Sequence, residues 1–96
     1  MKSHVRFSFQ LFIAGGTPNS LQAQGNLNAL CRLHMAGEFE IEVIDVFLQP
    51  ERALAEGILM TPMLIVLEPA PRKRIAGTLS NSAILADALG LDPAAQ

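Results

Sequence analysis

Between Val5 and Ala14 the apolar residues Val5, Phe7, Phe9, Leu11 and Ile13 alternate with Arg6, Ser8 and Gln10, until Phe12 and Ala14 make both faces apolar. This pattern predicts a strand that becomes covered on both sides towards its C-terminal end. Gly15-Gly16 stops it, and Thr17-Pro18 reads as an N-cap followed by proline at the first helical position, where a missing N–H costs nothing. The helix is expected to reach about Met35, since Ala23, Leu27, Leu30, Cys31 and His34 recur at one-face spacing and Gly37 closes it. Gly25 weakens it by about 1 kcal/mol relative to alanine without breaking the stripe. Glu40 to Phe47 is rich in β-branched residues, and its Glu-Ile-Glu-Val opening predicts a strand at an exposed sheet edge. Pro50 opens a short helix, Glu51 to Glu56, with acid in its first turn and Gly57 at its C-cap.

Met63 to Leu67 is a continuous apolar run bounded by prolines, too short for a helix, and predicts a strand buried on both faces. Pro69 and Pro71 make the next turn, and Arg72 to Gly77 forms a short strand whose basic start suits a sheet margin. Ser80 or Asn81 caps a last helix carrying Ile84, Leu85, Ala88 and Leu89, with Gly90, Leu91 and Pro93 in stop positions. The order is β-α-β-α-β-β-α, an α/β class with a mixed sheet. Two helical crossovers are expected to make the first three strands parallel, and a Pro-containing turn makes the last pair an antiparallel hairpin. That is the thioredoxin-like arrangement. One domain is expected over residues 1–96, with its core at about 5–91 and frayed ends at 1–4 and 92–96.

Composition narrows the function classes. A chain of 96 residues buries only roughly 60–65% of its unfolded surface. A composition that is 50% hydrophobic therefore predicts surplus apolar surface and association with itself or with a partner. One cysteine cannot form an internal disulfide, which points to a reducing, cytoplasmic setting. With 7 Lys+Arg against 9 Asp+Glu, the charge of -2 gives no reason to hold nucleic acid. The apolar stretches at Val5–Ala14 and Ile58–Leu67 are interrupted by polar residues and by Thr61-Pro62, so neither reads as a membrane span or signal.

A thioredoxin-like redox enzyme places a nucleophilic cysteine at the first strand-to-helix turn, where helix N–H groups lower its pKa. Here that turn is Gly15-Gly16-Thr17-Pro18-Asn19-Ser20, without cysteine. Cys31 falls on the apolar stripe of the helix, where it reads as a packing thiol; a thiol enzyme using Cys31 is the rival reading. Thr17 or Ser20 could stand in for the cysteine, but no base is visible beside either, and both read as helix-capping residues. Thr61-Pro62 lies where thioredoxin-like folds place a cis-proline, the alternative being an ordinary trans proline before a strand. His4 and His34 have no metal-ligand spacing, so neither a metal nor a cofactor is expected. Arg72-Lys73-Arg74 is the one charge cluster, read either as a solvated edge or as a handle for an acidic partner.

Four separated segments carry a resemblance: Leu11-Phe12-Ile13-Ala14-Gly15-Gly16-Thr17-Pro18-Asn19-Ser20; Val43-Ile44-Asp45-Val46 with Pro50; Ile58-Leu59-Met60-Thr61-Pro62; and Arg74-Ile75-Ala76-Gly77-Thr78-Leu79-Ser80. In order and spacing they resemble the circadian clock KaiB family. The resemblance implies a non-enzymatic regulator of a circadian or stress-response system that docks on KaiC, a hexameric ATPase and kinase. It also implies competition with a KaiB-like sensor domain of a histidine kinase, and sequestration of KaiA; a stand-alone domain binding a histidine kinase is a further alternative. Family members exchange a tetrameric ground-state fold, with a rearranged C-terminal half, for the thioredoxin-like one that binds partners.

Carried onto this chain, the partner surface comprises Gln22 on the first helix, then Gln49, Glu51, Arg52 and Gly57, and the edge Arg72, Lys73 and Arg74. Pro62, Gly77 and Thr78 are the positions tied to structure and fold exchange. The chain departs from the family where basic residues are common, reading Gln22, Gly25, Leu48 and Gly57 instead, and Thr78 replaces a common acid. The usual acidic C-terminal tail is absent as well, which marks a diverged member.

Overall fold

A computed structural model describes residues 6–91. The expectations at His4, Val5 and Pro93, and for the frayed ends at 1–4 and 92–96, lie outside the described residues. The elements are β1 (Phe7–Ile13), α1 (Pro18–His34), β2 (Phe39–Asp45), α2 (Pro50–Glu56), β3 (Met63–Glu68), β4 (Lys73–Ala76) and α3 (Ser82–Ala88), in the expected order. The sheet runs β2-β1-β3-β4, so the Glu-alternating β2 and the basic β4 are its two edges.

One expectation fails. β1 and β2 are parallel, but β3 runs antiparallel to β1, with Met63 opposite Phe12, so the first three strands are not all parallel. α2 lies across the strands and not along them, its Arg52 reaching Glu42 of β2 and its Glu56 reaching Arg72 and Arg74 at the far edge. A helix laid across a sheet returns the chain to the end it left, so β3 starts beside the ends of β1 and β2 and runs back antiparallel, and β3 and β4 pair as the expected antiparallel hairpin.

β2 also stops earlier than expected, at Asp45. The Asp45 carboxylate accepts from the Gly15 N–H at 3.2 Å and from the Phe47 N–H at 2.9 Å. The Asp45 carbonyl accepts from Leu48 and Gln49 at 3.0 and 2.9 Å. A side chain that satisfies nearby N–H groups competes with the strand ladder, so residues 46–48 turn away from the sheet.

Strand alternation gives the sheet two unequal cores. On one face Phe7, Phe9, Leu11, Ile13, Leu64 and Val66 pack against Ala23, Leu27, Leu30 and Cys31 of α1, against Leu85 of α3, and against Leu79 and Leu89. On the other face, among the described residues, only Phe12, Ile44 and Ile65 form the buried cluster, flanked by partly buried Val46, Ala53, Ile58, Met63 and Leu67. Towards the start of β1 that second face turns polar, with Ser8 Oγ 3.2 Å from Glu40 and Gln10 Nε2 3.4 Å from Glu42.

The helix ends refine the expectations. Thr17 sits at the N-cap of α1 in extended conformation but makes no side-chain cap bond. Ser20 is buried, and its Oγ accepts from the Ala14 N–H at 3.0 Å, which ties the helix to the end of β1. At the other end Met35 completes the buried stripe and His34 is half-buried. Asn81 caps α3, its Oδ1 accepting from the Ile84 N–H at 3.1 Å. Ile84, expected on the inner face, is exposed, and Ala86 takes its place beside Leu85 and Leu89.

Replacing Leu27 with alanine should cost about 3 kcal/mol in urea unfolding, because the side chain is fully enclosed. Ser20→Ala should cost about 1–2 kcal/mol by leaving the Ala14 N–H unpaired. A loss below 0.5 kcal/mol in both variants would contradict this packing, the threshold being the about 0.5 kcal/mol typical of surface substitutions.

Candidate protein-docking face

The weaker core leaves a surface that the molecule does not cover. Phe47 is 70% exposed, Leu48 78%, Leu54 82%, Leu59 96% and Met60 58%. They come from the turn after β2, from α2 and from the segment before β3. Phe47, Leu59 and Met60, with Ala14, Val46, Ala53, Ile58 and Thr61, line an open hollow of roughly 230 Å³, and Leu48 and Leu54 lie outside that lining. Contiguous exposed apolar side chains on a small domain mark an interaction surface. The hollow sits at the end of the sheet where β1 and β2 finish. Beside it lie Gly15, whose φ of +56° suits a residue without Cβ, and the cis peptide bond Thr61-Pro62.

Three arginines rim this face. Arg52 on α2 forms a two-point ion pair with Glu42 of β2, with Nη2 to Oε1 at 3.0 Å and Nη1 to Oε2 closer still. The Arg52 hydrogen bonds hold the Glu42 carboxyl below its ordinary pKa. Glu56 on α2 meets Arg72 at 2.5 Å and Arg74 at 3.4 Å, and Arg74 also donates to the Glu56 carbonyl.

The basic cluster is not one patch. Strand alternation sends Arg72 and Arg74 to the α2 side and Lys73 to the other, where its Nζ donates to the Ala88 carbonyl at 2.6 Å. The structure thus brings together Gln49, Glu51, Arg52, Gly57, Arg72 and Arg74 on the α2 side. Gly57 takes the left-handed C-cap of α2, and Gln49 its N-cap.

Gln22 lies apart, on α1, with its Nε2 3.4 Å from Ser80 Oγ. Thr78 belongs to that region too: its carbonyl accepts from Asn26 at 2.9 Å and its hydroxyl meets Ser80 at 2.5 Å. Pro62 is buried at the start of β3, and its carbonyl accepts from the Gly77 N–H at 3.0 Å. The exposed side chains Phe47, Leu54, Leu59 and Met60 are not among the partner-surface residues expected from the sequence, although Leu59 and Met60 belong to one of the four matching segments. The sequence pattern places Phe47 in a strand that stops two residues earlier, and Leu54 is a lone leucine among small residues in a short helix.

Cys31 is fully enclosed inside α1, away from the Gly15 to Ser20 turn, and burial pushes its thiol up to about 11. Such a group stays protonated at neutral pH and is a poor nucleophile.

The architecture is thioredoxin-like. Similar solved structures include chloroplastic thioredoxin z, with a TM-score of 0.74 at 21% identity, covering 88% of this chain and 75% of that one. The N-terminal domain of Synechococcus elongatus SasA gives a TM-score of 0.72 at 18% identity, covering 92% of this chain and 84% of the other. Within this class the sequence is more specific: the KaiB domain family matches residues 10–91. The circadian clock protein KaiB3 of Synechocystis sp. is 39% identical over 87 residues, 91% of this chain and 83% of that protein. The circadian clock oscillator protein KaiB of Thermostichus vulcanus is 40% identical over 75 residues, 78% of this chain and 69% of its own length. The chain belongs to the KaiB family. Among the described residues no helix is long and apolar enough to cross a membrane.

Thiol reagents should modify Cys31 about 100-fold more slowly in the native protein at pH 8 than in urea, as a pKa near 11 against an ordinary 9 requires. Equal rates would place the thiol at the surface. Because the folded-state pKa of Glu42 is lowered, its stabilisation is present above pH 4.5 and is lost as pH falls through the folded value. Unfolding curves of the wild type and Arg52→Gln should therefore differ at pH 7, and the gap should shrink as the pH falls below 4.5. A gap that does not change with pH would mean that Arg52 acts through something other than Glu42.

Proposed function

We propose that this protein is a non-enzymatic regulator that works by binding, docking on a KaiC-like hexameric ATPase in a circadian or stress-response system. The observation that carries the reading is the uncovered apolar face of Phe47, Leu48, Leu54, Leu59 and Met60, on a chain whose family relatives are named circadian clock proteins. A face of this kind contributes affinity by desolvation. Its charged rim of Arg52, Arg72 and Arg74 sets orientation against acidic groups on the partner. Leu48 stands where family members commonly carry a basic residue, so docking here relies more on apolar contact and less on ion pairing. By the same resemblance, the thioredoxin-like arrangement is the partner-binding one, and exchange with a second packing would make association slow.

The test is gel filtration of the protein with a cognate KaiC-like ATPase, with and without nucleotide, after incubation for hours. Complex formation is expected, and Phe47→Glu or Leu54→Glu should weaken it at least 10-fold, as central apolar anchors do. Ile84→Glu, a change of an exposed apolar residue on α3, should leave affinity within about twofold, as surface substitutions away from an interface do. No complex at high micromolar concentration, or equal loss from Ile84→Glu, would overturn the reading.

A further inference from the structure

None of the seven residues of α2 is buried, and an isolated helix of that length does not persist in water. Its apolar hold on the sheet is confined to partly buried Ala53, with Ile58 just beyond its end. What remains is ionic, and its placement is specific. Arg52 and Glu56 are four residues apart and so lie on one side of the helix. Arg52 reaches Glu42 on β2, and Glu56 reaches Arg72 and Arg74 on the β4 side. These are the two edges of the sheet, about 14 Å apart across three strand spacings. We propose that α2 is a strap laid across the sheet and latched at both edges by ion pairs, and that it opens as a unit while the sheet, α1 and α3 stay folded.

The other helices are held differently. α1 and α3 are held by enclosed Leu27, Leu30 and Leu85, an interaction that salt does not screen. The latch pairs are partly exposed, with 33% and 50% of the Arg52 and Glu42 side chains accessible and 23% of Glu56. At 1 M salt the screening length falls to about 3 Å, so such pairs weaken. A partner's carboxylates could likewise take Arg72 and Arg74 from Glu56 and free the strap. This inference concerns the isolated protein and stands or falls separately from the docking reading.

Hydrogen exchange of the full chain tests it by comparing amides of residues 50–58 with those of residues 18–34. Glu56→Gln and Arg52→Gln should each speed exchange in 50–58 about 3- to 10-fold and leave 18–34 unchanged. Raising NaCl from 0.05 to 1 M should do the same to the wild type and add less than twofold to the double variant. Asp87→Asn, which removes an exposed acid on α3 away from the latch, should leave exchange in 50–58 unchanged. Exchange in 50–58 that ignores both salt and substitution would overturn the proposal, as would opening of 50–58 only at the rate of 18–34.

Discussion

Burial of β1 between two layers of unequal strength is the constraint on which the rest of the structure depends. Phe7, Phe9, Leu11 and Ile13 face two helices that contribute enclosed leucines, whereas among the described residues Phe12 on the reverse side shares its buried cluster with Ile44 and Ile65 alone. Each fully buried large apolar side chain is worth about 1.5–3 kcal/mol, so stability is concentrated on the α1/α3 side. The α2 side is left with a small core, an open apolar hollow and a ring of ion pairs. A sheet covered well on one face and poorly on the other has one rigid side and one side available for binding.

Charge placement reinforces that division. Because alternation along β4 is strict, the tripeptide Arg72-Lys73-Arg74 serves both layers: its arginines reach α2, and its lysine reaches the end of α3. Glu42 on the opposite edge completes the arrangement through Arg52. Three positively charged residues in a row therefore do not make a basic patch. They make two separate attachments on opposite sides of one strand, which weakens any argument that treats the run as a single electrostatic handle.

Local patterns made most of the fold legible. Alternation from Phe7 to Ile13, the Thr17-Pro18 start of α1, the Gly57 stop of α2 and the β3–β4 hairpin all follow from short-range chemistry, and the structure places them as the sequence implies. The direction of β3 was not legible by pattern. It depends on whether α2 runs along the strands or across them, and hydrophobic periodicity says nothing of that. The end of β2 was missed for a similar reason, since Val46 and Phe47 continue the β-rich composition while the Asp45 carboxylate turns the backbone. That error hid Phe47, and with it the apolar face, because a residue assigned to a strand is expected to pack. The family resemblance points to the α2 segment, to the Arg72–Arg74 edge and to Gln22, and through Leu59 and Met60 it touches the apolar face; the structure puts Gln22 on α1, across the sheet from α2.

If the thinly covered α2 side meets the proposed partner, hydrogen exchange of this chain mixed with a KaiC-like ATPase, compared with the free protein, should show new protection over residues 46–60 and 72–74, with the outer surfaces of α1 and α3 exchanging as before. Protection confined to α1 and α3, with residues 46–60 unchanged, would contradict it.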